Sequence, residues 1–189
     1  MLEKALTYIH TSLDQFVKKK LKTDESKVIN GTLIRLDGSV PQLNQNKLII
    51  SLINIERERL KPFYNPRHVL SNKELVRTPP SERFNLDILL VANFDDYSES
   101  LKFLNAALLF FQLYPSISAN DYSNIPQGLS KLEFEVEKIT YREMQNLWSA
   151  MGAKYQPSII YKVRLITIDG DEIKELQTGI NSVSNPVSQ

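Results

Sequence analysis

The order of hydrophobic and polar residues along the chain predicts helices and strands with two distinct periods. In the first segment, apolar residues recur every three or four positions, which predicts a helix with one buried face. That face comprises Leu2, Leu6, Ile9, Leu13, Phe16 and Val17. Two β-branched stretches follow, "VINGTLIRLDGS" and "KLIISLINIERER", and both predict strands. The second is apolar on both faces over its first half, so it is expected inside a sheet covered on both sides.

The middle of the chain continues this pattern. The stretch "FNLDILLVANF" alternates between apolar and polar residues, which predicts a strand with one buried face. "DDYSES" supplies N-cap residues for the helix "LKFLNAALLFFQLY", which Pro115 ends. The main apolar stripe of this helix is expected at Leu101, Leu104, Leu108 and Phe111. "KLEFEVEKI" is a second alternating strand, and its polar face carries Glu133, Glu135 and Glu137.

A short helix is predicted around the single tryptophan of the chain. Thr140 and Glu143 have the spacing of a capping box, and Gly152 lies where a left-handed residue commonly ends a helix. Trp148 falls on the apolar stripe between these two signals, so we interpret it as a core anchor. Lys154 and Tyr155 follow in the exit turn. Neither has a nucleophile or a second base nearby in sequence, so this stretch is interpreted as architecture and not as an active site.

The last predicted strand, "SIIYKVRLITID", carries Lys162 and Arg164 on its polar face. Strand, helix and strand in succession are interpreted here as a βαβ unit with a right-handed crossover. If the two strands are neighbours, Lys162 and Arg164 could lie beside Glu133 and Glu135. The predicted fold class is α+β (mixed α/β), a single mixed sheet with packed helices in the order α-β-β-(arm)-β-α-β-α-β. One domain is expected over residues 1–172, followed by a flexible tail over 173–189.

Residues 59–83 form the arm of this scheme. They have no clean period and contain four prolines, and loops of this length inside a compact domain are usually functional. Phe63, Tyr64, Val69 and Leu70 give the arm apolar side chains with which to dock. We expect it to become ordered against a neighbour, and a disordered insertion is the alternative.

The composition of the chain excludes several kinds of site and partner. The chain has 189 residues, a formal net charge of +1, no cysteine and two histidines. Disulfides and cysteine-ligated metals are therefore excluded, near-neutral charge argues against a nucleic-acid binder, and no stretch is apolar enough for a membrane span. His10 and His68 have no catalytic or metal-type partner at a meaningful spacing, and no phosphate-binding glycine motif is present. We expect no cofactor, no metal and no catalysis.

Two charged groups remain as candidate contacts. The glutamates at 133, 135 and 137 are interpreted as a solvated or interfacial acidic face, since no histidine or further aspartate cluster joins them. Lys18, Lys19 and Lys20 end the first helix, where cations complement the helix dipole, and an anionic partner is the alternative.

Several of these stretches together resemble one known family. They are "NKLIISLINIERE", "FNLDILLVANF", "YSESLKFLNAALLFFQ" and, most specifically, "LWSAMGAKYQPSIIYKVRLITID". In this order and spacing they resemble the N-terminal-domain family of tail-terminator or cap proteins in phage-tail-like contractile injection systems. Those systems include the Photorhabdus virulence cassettes and the antifeeding prophage of Serratia. The resemblance covers about residues 1–170.

The resemblance implies a structural protein and not an enzyme. It implies a ring, six-fold by analogy, that is assembled in the cytoplasm and contacts the inner tube protein, the sheath protein and its own copies. Some relatives carry further C-terminal domains, and we expect none within residues 1–189. The alternative is a small non-catalytic α+β module that binds a ligand or a protein.

Overall fold

A computed structural model of the protein describes residues 1–58, 68–71, 74–77, 82–118, 125–129 and 131–168. For residues 68–71, 74–77, 82 and 165–168 it describes the backbone alone. Three helices and eight strands lie within these ranges. They are α1 (Leu2–Leu21), β1 (Val28–Asn30), β2 (Lys47–Arg57), β3 (His68–Ser71), β4 (Glu74–Arg77), β5 (Glu82–Asn93), α2 (Tyr97–Leu113), β6 (Ser116–Ser118), β7 (Lys131–Val136), α3 (Tyr141–Met151) and β8 (Ser158–Ile168).

Six strands form one mixed sheet in the order β1-β2-β5-β8-β7-β6. Only β1 and β2 are parallel, and every other neighbouring pair is antiparallel. The α+β fold class with a mixed main sheet is therefore confirmed. The strand β2 lies inside the sheet between β1 and β5, as its two apolar faces predict.

The βαβ interpretation of β7, α3 and β8 is wrong. The two strands are neighbours, but they run antiparallel, so no right-handed crossover is present. The chain leaves β7, folds α3 over one face of the sheet, and returns beside β7 in the opposite direction. Such a connection permits antiparallel pairing because a long enough link can join neighbouring strands in either sense.

The first face of the sheet is largely apolar, and α1 and α2 cover its centre. The core between them includes Ile9, Leu13, Ile88, Leu90, Phe110, Phe111 and Val163. Aromatic rings tie the layers together, since Phe111 stacks on Tyr161 at 4.2 Å between ring centroids and Phe16 lies 5.5 Å from Phe110. Burial of this continuous apolar surface provides the main stabilisation of the fold.

The buried side of α2 differs from the expected stripe. Of the expected stripe, Leu101 is 45% exposed, Leu104 and Leu108 are only partly buried against the core, and Phe111 is buried. The buried residues of the helix are Ser100, Phe103, Ala106, Ala107, Phe110 and Phe111. The helix is apolar around most of its circumference, so the position of its neighbours selects the buried face. Its start agrees with the prediction, because the Asp96 side chain accepts hydrogen bonds from the backbone N–H groups of Ser98 and Glu99.

The arm contains regular structure that the sequence pattern did not reveal. Within it, β3 and β4 pair antiparallel and form a two-stranded sheet separate from the main one. The predictions for the two outermost strands of the main sheet, β1 and β6, were also inaccurate. The strand β1 is only three residues long, and β6, which pairs with β7, was not predicted.

Candidate interaction surface

The second face of the sheet divides into two halves of opposite chemistry. One half, the apolar half-face, lies under α3 and consists of Ile49, Leu89, Val91 and Ile160, packed with Leu33 and Trp148. The other half, here the charged half-face, carries Asn54, Glu56, Glu58, Asn85, Asp87, Glu133, Glu135, Glu137, Lys162 and Arg164. Pairing of Asn54 with Asp87, and of Glu135 with Lys162, places these residues on one surface. A bulge in β2 between Leu52 and Asn54 marks the boundary between the halves.

Lys162 is the central cation of the charged half-face. Its Nζ lies 3.2 Å from a carboxylate oxygen of Glu56, 3.5 Å from Glu137 and 3.8 Å from Asp87. Partial burial lowers the pKa of Lys162, but the hydrogen bond to Glu56 and the charges of the three carboxylates outweigh it and raise the pKa above 10.5. The ammonium therefore stays charged and holds together side chains from β2, β5 and the end of β7.

The cations of β8 lie beside the glutamates of β7 as predicted, but not every cation forms its ion pair with one of these glutamates. Arg164 pairs with Glu135 at 2.6 Å, while Glu133 pairs with Lys131 on its own strand at 2.5 Å. Lys162 contacts the carboxylates named above and not Glu133. The Arg164 and Glu135 side chains are 42% and 60% exposed, so their ion pair contributes only about 0–1 kcal/mol to stability.

Two buried amide and carboxylate groups lie beneath these ion pairs. The Asn85 amide nitrogen donates to Glu58 at 2.8 Å, and the Asn54 amide nitrogen donates to Asp87 at 3.0 Å. Asn85 and Asp87 are only 7% and 8% exposed. Among the described residues, the remaining oxygen of each side chain, Oδ1, has no hydrogen-bond donor, and neither does the Arg164 Nε have an acceptor. Such buried unpaired groups are rare in folded proteins and call for an explanation.

The α3 residues that the sequence analysis singled out hold the helix over the apolar half-face. Thr140 and Glu143 form the predicted capping box, in which each side chain bonds the backbone N–H of the other residue. Gly152 ends the helix in the left-handed conformation at φ 66°. Trp148 is 5% exposed, and its indole N–H points at the Met144 sulfur at 3.1 Å. The capping signals thus fix the helix that carries the buried tryptophan.

The exit turn after α3 lies at the surface. The Tyr155 ring is 5.4 Å from the Trp148 ring, and Tyr155 is 67% exposed, so it shields one edge of the tryptophan. Lys154 is exposed. Gln156 donates to the Asn93 side chain at 2.8 Å, which ties the turn to β5. These contacts agree with an architectural interpretation of this stretch.

The basic end of α1 belongs to the opposite side of the sheet. Lys18 forms an ion pair with Asp14 at 2.9 Å, and Lys19 and Lys20 are exposed. Asp14 also accepts hydrogen bonds from Ser26 and from the backbone N–H of Val28, and so joins α1 to β1. Burial raises the pKa of Asp14, but these hydrogen bonds and Lys18 outweigh it and hold the pKa below 3.8.

Some of the candidate residues lie outside what the structure describes. Phe63 and Tyr64 are outside the described residues, and so is the tail predicted over 173–189. Val69, Leu70 and His68 belong to β3, of which the backbone alone is described. His10 contacts the backbone oxygen of Val28 at 3.0 Å, which is a structural role.

The described part of the chain contains neither a cluster of metal ligands nor a membrane-spanning helix. No three His, Cys, Asp or Glu side chains within it gather in a way that would hold a metal ion. Likewise, none of the helices in the described ranges is long and apolar enough to cross a bilayer.

Sequence reasoning identified the glutamates of β7 and the cations of β8 but missed the contributions of β2 and β5. Glu56, Asn85 and Asp87 are polar positions in otherwise apolar strands, and their shared location depends on the pairing of β2, β5 and β8. That pairing joins segments far apart in sequence. The signal that would have indicated these residues is the change from apolar to polar side chains at the ends of β2 and β5 that pair with each other.

The chain belongs to the family described as the Pvc16 N-terminal domain, whose sequence model matches residues 8–180. A solved structure entitled "Cryo-EM Structure of an Extracellular Contractile Injection System, PVC sheath/tube terminator in extended state" is similar to it at 16% sequence identity and a TM-score of 0.48. The alignment covers 95% of this chain and 63% of that one, so this chain spans less than two thirds of the length of that protein. No curated protein matches it significantly.

Proposed function

We propose that the protein is a terminator of a contractile injection system, a structural ring that ends the inner tube and anchors the last sheath layer. The observation that carries the proposal is membership of the Pvc16 N-terminal domain family over residues 8–180. The sequence stretches that link the chain to this family are those that resemble tail-terminator proteins. The function requires no catalysis, cofactor or metal.

The surfaces of the molecule suit such a role. A terminator needs separate contacts for the tube, the sheath and two ring neighbours. The described residues offer the charged half-face on one side of the sheet. A loop between β1 and β2 presents Leu36, Val40 and Leu43, of which Leu36 is fully exposed. The outer side of α2 adds Tyr97, Leu101 and Leu113. Exposed apolar groups of this kind commonly mark protein contacts.

The proposed ring would be built from head-to-tail contacts between copies of the chain. Two different sides of each copy must be complementary, and rotation between copies must close the circle. Six copies would match the six-fold symmetry implied by the resemblance. The ring would occupy the surface on which the next tube ring stacks, and its outer parts would hold the sheath. Assembly would take place in the cytoplasm.

Deletion of the gene tests the proposal in cells that make the particle. Particles should then have tubes or sheaths of irregular length, or should fail to assemble, because nothing stops tube growth or holds the terminal sheath layer. Electron microscopy of purified particles measures the length distribution. Restoration of uniform length by a plasmid copy is the control.

Particles of normal, uniform length that are still capped at the end distal to the baseplate would contradict the proposal. A binding module without a role in termination would give that result. Purified protein mixed with tube and sheath proteins provides a second readout, since a terminator should appear at one end of the assembled tube only.

A further inference from the structure

We propose that the loop between β1 and β2, residues 31–46, docks on the outer side of α2 of a neighbouring copy of the same chain. This inference rests on the proposed ring and names the contact between adjacent subunits. Within the described ranges, these two elements carry six of the ten large apolar side chains that are exposed, so they are the main candidates for contacts outside the subunit.

The loop is held in one conformation by hydrogen bonds from its own side chains. Asn44 is buried, and its amide nitrogen donates to the backbone oxygen of Thr32 at 2.9 Å. The Asn93 side chain of β5 donates to the backbone oxygen of Asn44 at 2.7 Å. Near the tip, the Asp37 carboxylate accepts hydrogen bonds from the backbone N–H and the hydroxyl group of Ser39. The loop is therefore preorganised and loses little conformational entropy on binding.

The ordered loop presents its apolar side chains outwards. Leu36 lies in a turn that is closed by a 2.9 Å hydrogen bond from the Gly38 N–H to the Arg35 oxygen, and it is fully exposed. Val40 and Leu43 are mostly exposed. Three such side chains on one rigid loop gain almost no packing within their own subunit. Clustered exposed apolar groups of this kind mark a contact with another protein.

The outer side of α2 is a matching apolar surface. Tyr97, Leu101, Leu104 and Leu108 follow one another at helical spacing, and all four are at least partly exposed. A helix that is apolar around most of its circumference is usually buried on every side, whereas α2 packs on the core with one side only. The rows of side chains on a helix leave grooves that accept side chains of a neighbouring element.

Charge supports the same pairing. Arg35 is exposed beside Leu36, and its guanidinium forms no ion pair with any residue that the structure describes. The start of α2 carries Asp96 and Glu99, and Lys102 is the only basic residue of the helix. Glu99 already pairs with Lys102 at 2.9 Å, but a carboxylate accepts several hydrogen bonds and can take a second cation. Arginine beside these carboxylates would fix the register in which the loop docks.

The two surfaces lie on different sides of the sheet. Leu33 and Ile34, at the base of the loop, pack with the cluster under α3, whereas α2 lies on the other face. A contact between two different surfaces is head-to-tail, so it can repeat from copy to copy until a ring closes. Each copy supplies one loop and one α2, so every loop in a closed ring has a partner.

The absence of native cysteine makes a direct test possible. Gln42→Cys in a chain with a large tag and Asn105→Cys in an untagged chain would be mixed under conditions where rings form. Both residues are exposed and polar, so these changes leave the apolar contact intact. A short bismaleimide should link tagged to untagged chains. Gln15→Cys, which is exposed on α1, replaces Asn105→Cys as the matched control and should give no linked product.

Loss of the leucine at the loop tip gives an independent readout. Leu36→Ser should raise the concentration needed for ring formation about tenfold or more, because central apolar anchors carry most of the binding energy of an interface. Sedimentation velocity measures assembly, and thermal unfolding of the monomer should not change, since Leu36 is fully exposed. Tyr141→Ser is the matched control: Tyr141 is almost fully exposed but lies outside the proposed contact, so assembly should not change.

Charge reversal tests the register of the contact. Arg35→Glu and Glu99→Arg should each weaken ring formation, because like charges then face each other. Both changes in one chain should recover part of the loss, since every contact then carries two reversed charges. A double variant that assembles no better than either single variant would overturn the contact assigned to Arg35.

Rings that form normally with Leu36→Ser, or that yield no linked product between copies, would overturn this inference and leave the terminator proposal standing. Links confined to chains that carry both cysteines would overturn it in favour of a contact within one subunit. Wild-type protein that stays monomeric both in solution and on assembled tubes would contradict the inference and the ring together. Failure of the gene deletion to alter particle length would instead contradict the terminator function.

Discussion

The apolar and charged half-faces are built by the same strands on the same side of one sheet, yet they are completed differently. Along β5, Leu89 and Val91 lie under Trp148, whereas Asp87 and Asn85, the preceding residues on that side, lie among carboxylates and amides. The apolar half-face is finished within the subunit by α3. The charged half-face has two buried oxygens without donors among the described residues.

If the charged half-face is a contact surface of the proposed ring, this difference separates folding from assembly within a single sheet. Substitutions in the apolar half-face should reduce the free energy of unfolding, because they remove contacts made in the isolated subunit. Substitutions of exposed charges in the other half should change stability little and association strongly. The predictions below test that division, and they run from the largest expected effect on stability to the smallest.

Trp148→Ala should reduce the free energy of unfolding by about 3–5 kcal/mol, because it opens a cavity between α3 and the sheet. Urea denaturation of the monomer followed by circular dichroism measures the loss. Tyr155→Ala is the control, since Tyr155 is mostly exposed, and it should have a much smaller effect. An unchanged denaturation midpoint for Trp148→Ala would show that the tryptophan serves a contact outside the subunit.

Asp14→Asn extends the comparison to a carboxylate on the other side of the sheet, whose partners all lie within the subunit. The change should destabilise the protein by about 1–3 kcal/mol, because buried hydrogen bonds to a charged acceptor are lost. Since the pKa of Asp14 in the folded protein is below 3.8, its contribution is complete above the unfolded pKa and is lost as pH falls through the lowered value.

The difference in stability between wild type and Asp14→Asn should therefore be largest near neutral pH and should shrink below about pH 3.8. Urea titrations at a series of pH values measure it. A difference that does not change with pH would mean that charge at Asp14 is unimportant and that only its shape matters.

Thr140→Ala should destabilise the protein by about 1 kcal/mol, because the capping box loses its N-cap side chain. The same urea experiment applies. Thr140→Ser keeps the hydroxyl and should recover most of the loss. Equal destabilisation by serine and alanine would point to packing of the threonine methyl group and not to capping.

Glu135→Gln should change stability by no more than about 0–1 kcal/mol, because its ion pair with Arg164 is exposed. Thermal unfolding at low and high salt measures the small difference, which should diminish as salt screens the charges. A loss comparable to that of Trp148→Ala would contradict the division between folding and assembly surfaces.

Local signals in the sequence predicted the elements that depend on few neighbours. The capping box at Thr140 and Glu143 and the N-cap at Asp96 both require only the chemistry of adjacent residues. Each was predicted correctly because nothing distant in the chain alters it. The burial of Trp148 followed in the same way from its place on a capped helix.

The buried face of α2 shows where local pattern fails. Leucines at helical spacing suggested one stripe, but the core selected a neighbouring face that includes the small residues Ala106 and Ala107. Small residues allow a helix to approach the sheet and α1 closely, and a count of large apolar side chains does not register them. The predicted parallel pairing of β7 and β8 was wrong for a similar reason, since the order of elements along the chain does not determine strand direction.

The charged half-face could be predicted only in part. The β7 glutamates and β8 cations were identified because both strands alternate clearly. The contact of Lys162 with Glu56 depends on β2 and β8 lying on either side of β5, which only the assembled sheet reveals. The unpaired oxygen of Asn85 is a property of three-dimensional geometry and leaves no trace in the sequence.

The pairing of β5 with β8 also governs how the protein can be made. It joins residues 82–91 to residues 158–168, so one edge of the most apolar strand in the sheet has no partner until the last described strand has left the ribosome. Contacts this distant in sequence form slowly, because a long loop must close before they give any stabilisation. During synthesis, β5 is therefore the segment most exposed to mispairing with another chain, and α1 and α2, both already synthesised, are its available cover.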